Sequence, residues 1–283
     1  MMSLQAVRKA SVALRRLRGS YPLINFAREH NYQRGVVEVH DYDDDLTMAL
    51  DLSEHMASQI FWFGYYSRDV VAAIKQRLDK GDAFIDGGAN IGEITLVAAK
   101  AVGATGRVLS FEPVETIADK LASNVGANQM AWVEVLREGL SEAPGELPIY
   151  GQTETYDDGS RHSGLGTLFP SEQRPGLIGN IPLTTIDQEV TARRLERLAG
   201  IKLDIEGAEL FALRGAAATL ARFKPWVIVE IGVNTCLAAG YAPGDLLDAM
   251  PGYSFHRIER GGRLIPIGKS DLREWQNVMC LPN

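Results

Sequence analysis

The chain has 283 residues, of which 46% are hydrophobic and 23% are charged, and its formal net charge is −7. This composition excludes wholesale disorder, and the length predicts one core domain with an N-terminal extension. Two cysteines exclude a disulfide framework and a cysteine-based zinc cluster. No apolar run approaches the roughly 20 residues of a membrane-spanning helix, and residues 1–20 lack a secretory signal pattern. We therefore expect a cytoplasmic protein with no membrane span.

The charge is distributed unevenly along the chain. Residues 1–35 contain seven basic and one acidic side chain, so they carry +6 and the remaining residues carry −13. A surface that follows nucleic-acid phosphates must be basic, so we expect no nucleic-acid partner for the acidic body. Residues 4–17 have the hydrophobic spacing of an amphipathic helix packed on the domain surface. Docking to a partner or to a membrane surface is the alternative for this helix.

Two short strands follow within residues 36–51, and they are joined by the acidic segment 41–45 (DYDDD). We interpret this segment as a solvated turn, because it lacks the glycine and the distal glutamate of a calcium loop. The domain prediction is an N-terminal helix with short strands over residues 1–60, packed on a core domain over residues 61–283.

Strands and helices alternate from residue 68 onward. The predicted elements are helix 68–79, strand 82–86, helix 91–102, strand 107–112, helix 114–127, strand 132–138, strand 181–186, strand 200–205, helix 207–222, strand 226–232 and helix 243–249. This alternation predicts an α/β fold with a mostly parallel sheet and helices on both faces. Strands 252–258 and 263–267 and the apolar run 276–281 predict an antiparallel finish. Residues 151–175 are polar and glycine-rich, which predicts a loop that acts as a lid or is disordered.

A glycine-rich turn follows the first strand of this alternating region. The strand ends in Asp86, and Gly88, Asn90 and Gly92 follow before the next helix. In a doubly wound sheet, ligands bind outside the carboxyl ends of the strands. The glycines leave room for a ligand near the backbone, and Asn90 tolerates the left-handed conformation. The next strand ends in Glu112, where a carboxylate can accept both hydroxyls of a ribose.

Two cofactor classes compete for this pattern. A nicotinamide site uses G-x-G-x-x-G to bring a helix N-terminus to a pyrophosphate. Here the turn reads G-x-N-x-G, and the carboxylate of Asp86 precedes it. A carboxylate would repel a pyrophosphate but suits the cationic amino-acid portion of S-adenosylmethionine. A tight turn without any ligand is the third alternative.

Four further acids lie at the ends of later strands. Asp204 lies at the tip of strand 200–205, Glu206 and Glu209 lie at the start of the helix that follows it, and Glu230 lies in strand 226–232. An acid at a helix N-terminus stabilises the helix dipole and caps free N–H groups, which accounts for Glu209. Asp204 lies at the ligand edge beside the strand that bears Asp86, so we expect a functional role for it.

The motifs IDGGANIG, SFEP, LTTID and KLDIEGAELFALRGA, with the closing run 278–282, resemble those of the FkbM-type S-adenosylmethionine-dependent methyltransferases. The resemblance covers roughly residues 60–283. It implies a class I methyltransferase fold, Rossmann-like, with seven strands of which the last is antiparallel. It also implies methyl transfer, typically to a hydroxyl of a sugar or secondary metabolite. The residues that would bind the cofactor are Asp86, Gly88, Asn90, Gly92, Glu112 and Asp204, the last near the reactive methyl group.

Methyl transfer to an aliphatic hydroxyl requires alignment of the reacting atoms and removal of the hydroxyl proton. Asp204, Glu206 and Glu230 are the candidates for this catalytic role, in that order. A magnesium ion held by Asp204, Glu230 and Asn234 is an alternative that we do not favour. The expected partner is a small hydroxylated acceptor, and a homo-oligomer is left open. Methylation of nitrogen or carbon, and a non-catalytic or nicotinamide-binding Rossmann-like protein, are the alternative functions.

Overall fold

The structure is a computed structural model that describes residues 3–15, 17, 19–30, 34–151, 166–170 and 174–283. The described residues up to Ser67 form one unit, and those from Arg68 onward form a second. Residues 152–165 and 171–173 of the predicted loop 151–175 lie outside the described residues, so its role as a lid stays a prediction. Among the described residues, no helix combines the length and the apolar character needed to cross a membrane.

The first unit consists of helices and an antiparallel strand pair. Its elements are α1 (Leu4–Leu14), α2 (Tyr21–His30), β1 (Val36–Tyr42), β2 (Leu46–Asp51) and α3 (His55–Phe63). The amphipathic helix predicted over residues 4–17 is present as α1. The acidic turn between β1 and β2 is not solvated throughout, because Asp43 is buried and accepts a hydrogen bond from the hydroxyl of Tyr65 at 2.5 Å.

The second unit carries the alternating strands and helices. Its helices are α4 (Arg68–Lys75), α5 (Glu93–Val102), α6 (Glu115–Ala127), α7 (Ile186–Ala192), α8 (Glu209–Arg214), α9 (Ala217–Phe223), α10 (Val233–Ala238) and α11 (Pro243–Asp248). Its strands are β3 (Ala83–Gly87), β4 (Arg107–Phe111), β5 (Val133–Leu136), β6 (Gly139–Leu140), β7 (Gly145–Gly151), β8 (Gly176–Thr184), β9 (Gly200–Leu203), β10 (Trp226–Gly232), β11 (Tyr253–Glu259), β12 (Arg263–Pro266) and β13 (Trp275–Pro282).

An eight-stranded sheet of order β12-β11-β13-β10-β9-β3-β4-β5 forms the centre of this unit. Strands β5, β4, β3, β9 and β10 are parallel, and β13 runs antiparallel between β10 and β11. This confirms the predicted class I, Rossmann-like sheet with helices on both faces. The resemblance implied seven strands, and the eighth is β12, which pairs with β11 as an antiparallel edge strand.

The order of the strands changes direction at β3. The chain continues from β3 to β4 and β5 on one side, whereas β9 and β10 lie on the other side. Ligands of such sheets bind at this switch, outside the carboxyl ends of the strands. The apolar side chains of Ile85, Leu203, Val229 and Val278 are fully buried within the strands that meet here. The core therefore holds the strand ends in place, and the side chains just beyond them form the site.

The helix predicted over residues 207–222 is wrong in its extent, because the structure has two helices, α8 and α9. The carboxylate of Asp187 accepts hydrogen bonds from the backbone N–H groups of Ala218 and Thr219, at 3.0 and 2.7 Å. These bonds satisfy the free amides at the start of α9, so a second helix begins here. The strand predicted over residues 181–186 also has other bounds, since β8 begins at Gly176 and joins β6 and β7 in a separate sheet.

Candidate active site

The glycine-rich turn after β3 uses the left-handed backbone region three times. Gly88, Asn90 and Gly92 have φ values of 74°, 49° and 101°. Glycine and asparagine are the residues that adopt this region at least cost. The turn is tied to the end of β4, because the N–H groups of Gly88 and Ala89 both donate to the carbonyl of Phe111, at 3.0 and 2.9 Å.

Contacts within the chain require glycine at two of these positions. A Cβ on Gly88 would lie 1.9 Å from the carbonyl oxygen of Asp204, and a Cβ on Gly92 would lie 2.8 Å from Cδ1 of Leu121. Both distances are shorter than any real Cβ contact. The turn is therefore packed directly against the backbone that follows β9, which brings the two predicted parts of the site together.

Glu112, just beyond β4, is buried and bonded to this turn. Its Oε2 accepts the N–H of Asn90 at 2.9 Å, and its Oε1 accepts the N–H of Val114 at 3.0 Å. Burial raises the pKa of Glu112 to about 7, although the two backbone N–H groups act in the opposite direction. The carboxyl group of Glu112 therefore lies against the turn, and it gains or loses its proton near physiological pH.

Asp86 has no exposed surface. Its Oδ2 accepts a hydrogen bond from the hydroxyl of Thr95 at 2.7 Å, and this hydroxyl lies 2.9 Å from that of Ser110. The Nζ of Lys202 lies 3.4 Å from its Oδ1. The sequence predicts a cationic ligand beside Asp86. In the structure, the positive charge beside Asp86 is the ammonium of Lys202. A direct contact between Asp86 and the cofactor stays a prediction.

Lys202 was missed by the sequence analysis. It is buried in β9, and its ammonium lies 3.1 Å from the carbonyl oxygen of Gly87, 2.8 Å from that of Gly88 and 3.7 Å from Oδ2 of Asp204. Burial by itself would lower the pKa of Lys202, but the charges of Asp86 and Asp204 outweigh it and the pKa is raised. The signal in the sequence is a lysine inside a short apolar strand, because lysines are almost never fully buried unless paired.

The three predicted catalytic residues converge. Asp204, Glu206 and Glu230 each bring one carboxylate oxygen within 4.8 Å of the others, and we call these three residues the carboxylate cluster. Asp204 and Glu206 lie in the loop between β9 and α8, where Glu206 has a φ of 56°, and Glu230 lies in β10. Since β9 and β10 are parallel neighbours, their carboxyl ends meet at one edge. Asn234, the other candidate metal ligand, is exposed at the second residue of α10.

Two side chains that the sequence analysis did not identify bind the carboxylate cluster. Arg174 donates to Oε2 of Glu206 at 2.8 Å, and the indole N–H of Trp275 donates to Oε1 of Glu230 at 2.8 Å. Burial, together with the charges of Asp204 and Glu206, raises the pKa of Glu230 well above its ordinary value. Burial also raises the pKa of Glu206, against the effect of Arg174. The sequence contains no motif that would have indicated either partner.

The carboxylate cluster has the donor chemistry of a site for a hard divalent cation, because Mg²⁺ and Ca²⁺ are bound through carboxylate oxygens. Glu206 already pairs with the guanidinium of Arg174, and Glu230 already accepts the indole N–H of Trp275. A metal ion would have to compete with the positive charge of Arg174. The three acids instead have protein partners: Lys202 lies near Asp204, Arg174 pairs with Glu206, and Trp275 donates to Glu230.

Glu209 holds the loop that carries the carboxylate cluster. It is buried, its Oε1 accepts the N–H of Ile205 at 2.8 Å, and its Oε2 accepts the N–H of Gly207 at 2.9 Å. The hydroxyl of Tyr241 lies 3.3 Å from the same Oε2. Burial raises the pKa of Glu209 to about 7. The residue caps the loop before α8, whereas the sequence analysis had assigned it to the dipole and free N–H groups of the helix itself.

One protein family and several known proteins are similar to parts of this chain. The methyltransferase FkbM domain matches residues 86–257. Methyltransferase sdnD of Sordaria araneosa is 27% identical over 184 residues, which are 56% of this chain and 68% of sdnD. AMB antimetabolite synthetase AmbE of Pseudomonas aeruginosa is 29% identical over 214 residues, but these cover 65% of this chain and only 10% of AmbE.

Among solved structures, methyltransferase FkbM from Methylobacillus flagellatus is similar to part of this chain. Its TM-score is 0.46 at 18% identity, and the match covers 72% of this chain and 44% of that chain. The family match spans more than half of the chain and begins at Asp86, the residue that leads into the glycine-rich turn. The chain belongs to the FkbM family of S-adenosylmethionine-dependent methyltransferases.

Proposed function

We propose that this protein transfers the methyl group of S-adenosylmethionine to a hydroxyl group of a small acceptor, such as a sugar or a secondary metabolite. The observation that carries the proposal is the position of the carboxylate cluster. Its first member, Asp204, follows the strand next to β3, and its backbone packs against Gly88 of the glycine-rich turn. A carboxylate that can accept a proton thus lies next to the turn at which ligands bind in sheets of this kind, which supports the proposal.

The residues at this turn fit the cofactor. The carboxylate of Glu112 lies at the end of β4, where it can accept ribose hydroxyls, and it is already oriented by the N–H of Asn90. Gly88, Asn90 and Gly92 shape the turn, and Asp86 contributes buried negative charge behind it. When bound, S-adenosylmethionine supplies a methyl group activated by a positively charged sulfur. The protein therefore needs to align the reacting atoms and to provide a group that accepts the hydroxyl proton.

Asp204 is the best proton acceptor of the carboxylate cluster. Its side chain is 31% exposed, whereas the carboxylate of Glu206 is paired with Arg174. Glu230 retains its proton to higher pH than a solvated glutamate, because it is buried among the other acids. Carboxylates in contact share protons in this way, which leaves one member ionised to act as the base. Asp204 would therefore take the proton from the acceptor hydroxyl, with Glu230 as its hydrogen-bonding neighbour.

Binding and turnover test the proposal in two steps. Calorimetry should show binding of S-adenosylhomocysteine and no binding of NAD. A panel of hydroxylated sugars and metabolites, with amines as a second group, is then incubated with S-adenosylmethionine while formation of S-adenosylhomocysteine is measured. Methylation of an alcohol supports the proposal. Binding of NAD alone would contradict the cofactor assignment, and methylation confined to amines would contradict O-methylation.

A further inference from the structure

Lys202 occupies a position where a charged side chain is costly. It lies in β9, the strand between β3 and β10, and in the register of the sheet it pairs with Asp86 on one side and with Ile228 on the other. Its side chain is 7% exposed. A buried ammonium destabilises a fold by several kcal/mol unless charges and hydrogen bonds compensate it. The groups that contact the ammonium of Lys202 therefore indicate its role.

The partners of Lys202 belong to two different parts of the site. The carbonyl oxygens of Gly87 and Gly88, at 3.1 and 2.8 Å, belong to the glycine-rich turn. Oδ2 of Asp204, at 3.7 Å, belongs to the carboxylate cluster. Oδ1 of Asp86 accepts no hydrogen bond among the described residues, so the ammonium at 3.4 Å is its counter-charge. A single positive charge is thus in contact with both parts.

We propose that Lys202 is a positioning residue that holds the glycine-rich turn and Asp204 at a set distance from each other, so that the methyl donor and the proton acceptor are aligned. The inference rests on the proposed function. Lys202 is not itself the base, because its ammonium is protonated and turned toward oxygen acceptors of the chain. A neutral side chain of similar length would fill the space, but it would leave Asp86 as a buried, uncompensated carboxylate and would release the two carbonyls.

Methionine and arginine at position 202 separate charge from geometry. Lys202→Met should lower kcat by about 10²-fold, because a misplacement of about 1 Å has an effect of this size. Lys202→Arg restores the charge beside Asp86, but its planar guanidinium cannot reproduce the contacts of a compact ammonium. We expect Lys202→Arg to bind S-adenosylhomocysteine with an affinity close to that of the wild type, while its kcat stays at least tenfold lower than that of the wild type. Lys269→Met is the matched control, because it removes an exposed lysine that pairs with Asp248.

A double-mutant cycle shows whether Lys202 acts through Asp204. If it does, Lys202→Met should lower the single-turnover rate much less in an Asp204→Asn background than in the wild type, because the effects of coupled residues are not additive. Additive effects, or wild-type kcat in both Lys202 variants, would overturn the inference. A failure of the wild type to bind S-adenosylhomocysteine would instead contradict the proposed function.

Hydrogen exchange tests the link without cofactor or activity. In the unliganded protein, Lys202→Met and Lys202→Arg should increase the exchange rates of backbone amides in the segments 87–92 and 204–207 at least tenfold. Lys269→Met should leave these rates unchanged. If both Lys202 variants exchange at wild-type rates in the two segments, Lys202 does not hold them and the inference fails, whatever the enzyme assays show.

Discussion

The backbone of Asp204 lies so close to Gly88 that a Cβ on Gly88 would come within 1.9 Å of the Asp204 carbonyl oxygen. The loops that follow β3 and β9 are therefore in direct backbone contact. One loop carries the features of the cofactor site and the other carries the carboxylate cluster. A single methyl group added at Gly88 therefore tests the packing of both loops.

Gly88→Ala should destabilise the protein by about 3 kcal/mol, because it combines a left-handed φ with a clash against backbone. It should also abolish binding of S-adenosylhomocysteine. Thermal unfolding and calorimetry measure the two effects. Gly126→Ala is the control, since Gly126 lies in α6 with open space around it and should gain about 0.5–1 kcal/mol. Wild-type stability of Gly88→Ala would mean that the loops are not packed as described.

Glu112→Ala should weaken binding of S-adenosylhomocysteine by about 1–3 kcal/mol, through the loss of hydrogen bonds to a charged group. Because the pKa of Glu112 is raised to about 7, wild-type affinity should fall as the pH decreases from 8 to 6 and the carboxylate takes up a proton. Calorimetry across this range checks both. Glu112→Gln should remove the pH dependence, and Glu115→Ala, an exposed residue of the same segment, should change neither quantity.

Glu209→Gln should destabilise the protein by about 1–3 kcal/mol at pH 5. The backbone N–H of either Ile205 or Gly207 would then face the NH₂ group of the glutamine side chain, which cannot accept its hydrogen bond. The pKa of Glu209 is raised to about 7 from an unfolded value near 4.5, so the folded state binds the proton more tightly. The higher pKa in the folded state contributes about 3 kcal/mol to the free energy of unfolding. This stabilisation is fully present below pH 4.5 and is lost as the pH rises through 7. The deficit of the variant should therefore shrink toward pH 8.

Chemical denaturation at a series of pH values measures this trend. Glu196→Gln, which changes an exposed glutamate, is the control and should parallel the wild type. A deficit of Glu209→Gln that stays constant from pH 5 to pH 8 would contradict a protonated Glu209 in the folded state. The affinity for S-adenosylhomocysteine should remain within a few fold, since Glu209 bonds the loop and not the turn.

Asp204→Asn should lower turnover by about 10²–10⁴-fold and leave the affinity for S-adenosylhomocysteine within a few fold, because proton transfer by a positioned side chain has an effect of this size. Steady-state kinetics on the acceptor found in the panel measure it, with and without EDTA. Asp248→Asn, at an exposed ion pair with Lys269, should retain wild-type turnover. Full activity of Asp204→Asn would exclude it as the base, and loss of wild-type activity in EDTA would favour a metal in the carboxylate cluster.

Local signals in the chain were sufficient for the strand–turn–helix around Asp86 and for the approach of Asp204 to Glu230. Both follow from backbone rules, because glycine permits the turn and parallel strands end at one edge. The division of the helix predicted over residues 207–222 could not be anticipated from local signals, because it depends on two hydrogen bonds that the backbone N–H groups of Ala218 and Thr219 donate to the carboxylate of Asp187, 31 and 32 residues earlier in the chain.

The sequence by itself determined the mostly parallel sheet, the glycine-rich turn and the set of acids at the strand ends, because strand and helix periodicity and the φ preference of glycine are local properties. Only the tertiary structure decided which charges meet: Lys202 with Asp86 and Asp204, Arg174 with Glu206, and Trp275 with Glu230. These pairings depend on which strands and loops are neighbours and on how deeply each group is buried. Burial raises the pKa of Glu206 and of Glu230, so the chemistry of the site is a property of the fold.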